Sequence, residues 1–137
     1  MTFLQALYGS QYQEIRQKGG DGNKGRINGN MFLTAFIVLL IFLLTAIFFK
    51  TSSLGSTPLI NEHNIVSGKL AGKLLALPLF FIVYTILSKT IGTQKHYEKI
   101  IEKFNQLPEE VRKKANLKIL VPFLSLLLIL IVIVIFF

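Results

Sequence analysis

The sequence predicts an all-α integral membrane protein with three transmembrane helices. Three observations carry that prediction: long uncharged apolar blocks, a one-sided distribution of basic residues, and a helical period in the loop before the last block. More than half of the 137 residues are hydrophobic and only 16% are charged, well under the roughly 25% of soluble domains. Residues 31–49, 74–87 and 119–137 contain no charge at all. At 1.5 Å per residue, about 18 or more apolar residues match a hydrocarbon layer of about 30 Å. The run "ILVPFLSLLLILIVIVIFF" has no polar face to turn to water, which excludes a soluble bundle. The predicted spans are 31–49, 66–89 and 119–137, the middle one reaching full length when Lys69 and Lys73 snorkel toward headgroups.

Orientation follows from the fifteen basic residues. Three spans place the N-terminal arm and the second loop on one side of the membrane. Twelve of the fifteen lie there, from Arg16 to Arg26 and from Lys89 to Lys118, against Lys50, Lys69 and Lys73 opposite. The positive-inside rule makes the arm and second loop cytoplasmic, with the C-terminus on the other side, as in a bacterial inner membrane. The net charge of +8 is then a topology signal that also favours phospholipid headgroups. No aromatic-basic interleaving points to nucleic acid. There is no cysteine, so disulfides and thiolate metal sites are excluded. About thirty polar residues before the first block argue against a cleavable signal.

Residues 1–30 are expected to form a cytoplasmic arm, and 31–137 the membrane domain. Within the arm, Phe3, Leu4, Leu7, Tyr8, Tyr12 and Ile15 recur at helical spacing, predicting an interfacial helix over 2–17 that Gly9 weakens. The stretch "KGGDGNKGRINGN" follows, with five glycines and three asparagines, and predicts a mobile or tightly turned linker.

The loop after the first span is short and turn-rich, punctuated by Gly55 and Pro58. In the second span Gly68, Gly72 and Ala76 form a small-residue stripe that lets helices approach closely. Pro78 removes a helical hydrogen bond and predicts a kink. Lys69 and Lys73 flank the stripe and are candidates to meet an anionic lipid head or a partner's carboxylate. Residues 92–117 predict a cytoplasmic helical hairpin. Its first helix carries Tyr97, Ile100, Ile101 and Phe104 on one face, opposite Lys95, Lys99 and Lys103, to lie on the membrane or on a partner. Pro108, Glu109 and Glu110 then suit a new helix start.

Gly20, Gly22 and Gly25 spell G-x-G-x-x-G, the letters of a dinucleotide turn. The motif needs a strand before it, a helix after it and an acidic residue about twenty positions on. Here the last position is Thr45, inside a span, and the phosphate-loop reading lacks its Lys-Ser/Thr pair. A calcium loop fails too, since its closing carboxylate falls at Phe32. His63 and His96 lie on opposite sides of the membrane, so no metal site is expected. No Asp or Glu enters a span, against an ion-coupled carrier. The expectation is a non-catalytic accessory or assembly subunit, without cofactor, bound to other membrane protein subunits and phospholipids. A homo-oligomeric small transporter or channel is the alternative.

Overall fold

A computed structural model describes residues 1–51 and 65–136, with the side chains of 49, 50 and 65–73 outside the description. Six helices follow one another: α1 (Phe3–Gln17), α2 (Lys24–Thr51), α3 (Ile65–Lys89), α4 (Gln94–Asn105), α5 (Glu109–Lys113) and α6 (Ala115–Phe136). Among the described residues there is no strand. Two helical stretches, Lys24–Phe48 and Glu109–Phe136, are long and apolar enough to cross a membrane. Leu74–Lys89 joins them if it and α4, bent 71° from it, are counted as one broken span.

α1 is stabilised at both ends. Thr2 Oγ1 accepts from the Gln5 amide at 3.2 Å while Gln5 Oε1 accepts from the Thr2 amide at 2.9 Å, a reciprocal capping box. At the other end Gly19 takes φ +75°, and the Gly19 and Gly20 amides donate to the Arg16 and Ile15 carbonyls. That pair of bonds is a Schellman stop, which favours glycine because a Cβ is strained at this φ. Asp21 Oδ1 then accepts from the Asn23 amide at 3.0 Å, and α2 begins one residue later.

Residues 18–23 of the glycine-rich stretch therefore take the tightly turned form of the expected linker, while residues 24–30 are the first turns of a helix instead. α2 starts at Lys24, seven residues before the expected span at 31, and extends for 28 residues. At 1.5 Å per residue that is about 42 Å against a hydrocarbon layer of about 30 Å, so a span does not need its first turns. Here they meet α1. The apolar face of α1 turns inward: Ala6, Leu7, Tyr8 and Gly9 are buried, packed among α2, α4 and α6.

The core accordingly sits at one end of the molecule. Ala6, Leu7, Leu33, Leu87, Phe104, Ala115 and Ile119 form one cluster. Tyr8, Tyr97, Ile100 and Ile101 form a second beside it. Beyond this head the long helices bury little: Leu44, Phe48, Leu75, Phe81, Leu128 and Ile135 are all exposed, as lipid-facing or partner-facing surfaces are.

Candidate functional site in the helical head

Asn30, two turns into α2, is fully buried and joins three elements. Its Oδ1 accepts from the Tyr8 hydroxyl of α1 at 2.6 Å. Its Nδ2 donates to the Gly92 carbonyl, in the bend between α3 and α4, at 3.2 Å, with a longer approach of 3.5 Å to Ser88 Oγ. Gly92 O also accepts from Arg26 Nη1 at 3.0 Å. One turn below, the fully buried Thr34 returns its hydroxyl to the Asn30 carbonyl at 2.7 Å. A buried amide is costly unless its donors and acceptors are met, and here both ends of the Asn30 side chain are met.

A second tie runs parallel to the first. The Tyr97 hydroxyl of α4 donates to the Gly22 carbonyl at 2.6 Å, and the Tyr8 and Tyr97 rings meet edge to face at 5.5 Å. Such pairs add about 0.5–1.5 kcal/mol beyond their burial.

Glycines make room for this hub. A Cβ on Gly29 would enter the Tyr8 ring, one on Gly22 the Tyr12 ring, and one on Gly9 the Phe104 ring. A Cβ on Gly92 would collide with the Asn30 amide. On Gly25 it would stand 2.7 Å from Tyr97 Oη and 3.1 Å from the Tyr12 backbone nitrogen. Gly25 and Gly29 are four residues apart, as in the small-residue stripes of tightly paired helices. Here the seated groups are aromatic side chains and the backbone of α1.

This arrangement binds helix to helix and leaves no room for a phosphate. Gly20 packs under Ile15, and Gly22 and Gly25 are filled by Tyr12 and Tyr97. Burial pushes the Tyr8 phenol up to about 12, with the Arg26 guanidinium pulling it partly back. At neutral pH it is thus a hydrogen-bond donor and no base. Among the described residues no group of His, Asp and Glu side chains is placed to hold a metal.

The residues singled out from the sequence fall into three sets. Tyr97, Ile100, Ile101 and Phe104 are buried, and what covers them is α1 of the same chain, where the sequence suggested a membrane surface or a partner. Ala76 is half-buried and Pro78 exposed along α3, which stays helical through the proline. Gly68, Lys69, Gly72 and Lys73 belong to α3, but their side chains lie outside the described residues, as does His63. The hub itself, Tyr8, Arg26, Asn30 and Gly92, was not legible as a site. The available signal was the repeat of Gly22, Gly25 and Gly29 at spacings of three and four, opposite tyrosines at 8 and 12.

No family model matches this chain, and neither do any curated proteins or solved structures.

Proposed function

We propose that the chain is a small, non-catalytic accessory or assembly subunit of a larger membrane protein complex. The observation that carries this reading is a contrast in packing. The head is closed, with its aromatic rings seated and its central amide satisfied. Over the apolar windows of the two long helices, only 22% and 11% of residues are buried inside the chain. Surfaces left that open are what a subunit offers to lipid and to neighbouring helices.

The contacts across the head also support a three-span topology. Tyr97 reaches Gly22 and Gly92 receives Arg26, so the N-terminal arm and the second loop belong on one side. α2 and α3 then cross and return, and α6 leaves alone. With twelve of fifteen basic residues on the shared side, that side is the cytoplasm by the positive-inside rule, of a bacterial inner membrane. The α4–α5 segment is in this reading a cytoplasmic hairpin folded back on α1.

Gentle affinity purification from native membranes, followed by mass spectrometry, tests the role. The expected result is one or more membrane proteins recovered in fixed ratio. Recovery of the chain alone, as a stable symmetric oligomer that conducts or transports in vesicles, overturns it in favour of a small transporter or channel.

A further inference from the structure

We infer that the groove where α5 passes into α6 is a binding site for a single anionic phospholipid, the phosphate at Lys114 and Lys118 and an acyl chain below. The groove has a volume of about 560 Å³ and is lined by Met1, Val111, Lys114, Leu117, Lys118, Val121 and Pro122. Lys114 and Lys118 are one turn apart, and Leu117, Val121 and Pro122 continue the same side of the helix. From residue 119 onward α6 carries no charge, so the groove straddles the level where the helix turns from basic to apolar. A diacyl phospholipid has that same division.

Charge complementarity selects an anionic head. No carboxylate lines the groove. Among the described residues neither ammonium is in an ion pair, whereas the adjacent Lys113 is taken up by Glu109 at 3.1 Å. Lys118 Nζ donates to the Met1 carbonyl, which holds the ammonium at the mouth without neutralising it. Leu117 and Val121 are 63% and 60% exposed, so the apolar wall of the groove is open to an acyl chain. This site is independent of the subunit reading above, because it needs only that α6 enters a bilayer.

The test is native mass spectrometry of the full chain in detergent, delipidated and titrated with phosphatidylglycerol, with phosphatidylcholine, and with inorganic phosphate as a separate arm. Wild type is expected to bind one phosphatidylglycerol in preference to phosphatidylcholine, and inorganic phosphate is expected not to displace it. At about five-fold per lysine near an anionic headgroup, Lys114→Gln with Lys118→Gln is expected to weaken phosphatidylglycerol roughly 25-fold. The charge-matched control Lys95→Gln with Lys99→Gln, on the exposed face of α4, is expected to change it less than about two-fold. Val121→Trp fills the apolar part and is expected to weaken binding several-fold with both lysines intact. Equal binding of the two lipids by wild type, an equal loss in the control pair, or full displacement by inorganic phosphate each overturns the site. The wild-type comparison stands even if a variant fails to fold.

Discussion

Replacing Asn30 by leucine removes a side chain that ties α1, α2 and the α3–α4 bend together. The loss can be worked from its bonds. The Tyr8 hydroxyl, fully buried, loses its acceptor at 2.6 Å, and a stranded buried donor costs about 1–3 kcal/mol. Gly92 O loses one donor but keeps Arg26 Nη1 at 3.0 Å, so its share is no more than about 1 kcal/mol. Leucine shares the branching of asparagine but is bulkier, so in this fully buried site overpacking offsets the roughly 1 kcal/mol that burying its apolar surface returns. The predicted net loss is then about 1–4 kcal/mol. Tyr8→Phe alone gives up the same bond from the other end, leaves the buried Asn30 Oδ1 without that donor, and is expected to cost about 1–3 kcal/mol. In the double variant neither partner is stranded, so its loss should fall short of the sum of the two single losses by about 1–2 kcal/mol. Unfolding of the detergent-solubilised chain, followed by circular dichroism, measures all three. Additivity within about 0.5 kcal/mol, or Asn30→Leu indistinguishable from wild type, would refute the hub as the element that fixes the head.

Two further outcomes follow from the same packing. Gly29→Ala drives a methyl into the fully buried Tyr8 ring, and Gly25→Ala drives one against Tyr97 Oη and the α1 backbone. Overpacking of about 1–3 kcal/mol should exceed the gain in helix propensity of about 1 kcal/mol, so both variants unfold more readily in the same assay; stabilisation by either alanine would show the slots to be loose. Alkaline pH supplies the second. The Tyr8 phenol is raised from 10 to about 12 in the folded chain, so the unfolded chain loses this proton first. Stability is then intact below pH 10 and falls as pH rises toward 12, by about 2–3 kcal/mol at about 1.4 kcal/mol per unit. Tyr8→Phe should make that limb shallower without removing it, because burial also raises the Tyr97 phenol, and tyrosinate absorbance should report one fewer late-titrating phenol.

The parts of the fold that were legible are those where one pattern is strong and local. Uncharged runs of nineteen residues mark α2 and α6 as apolar helices long enough for a bilayer. The i, i+3, i+4, i+7 repeat of Tyr97, Ile100, Ile101 and Phe104 marks the buried face of α4. Neither pattern says what lies opposite: α1 has its own apolar face, and no local rule pairs two amphipathic helices about ninety residues apart. The start of α2 was misread for a different reason. Each glycine in a helix interior costs about 1 kcal/mol relative to alanine, so Gly25 and Gly29 lower any local estimate of helicity. The aromatic packing they admit belongs to α1 and α4 and is visible only once those helices are in place. Asn30 was hidden likewise, because asparagine beside glycine signals a turn.

That override changes what "GDGNKG" means mechanically. A glycine-rich start is unfavourable in an isolated helix, so it forms where rings fill the spaces the missing side chains leave. Gly22 and Gly29 are filled by Tyr12 and Tyr8, and Gly25 lies under the Tyr97 hydroxyl and the α1 backbone. α2 is continuous from that point to Thr51, so whatever fixes its first turns fixes the direction in which its apolar surface leaves the head. Asn30 fixes the bend after α3 from the same two turns, through Gly92. The two helices are thereby set against each other by polar groups at one end. Their apolar surfaces need not bury one another to hold that geometry, which leaves those surfaces free for the contacts that the subunit reading requires.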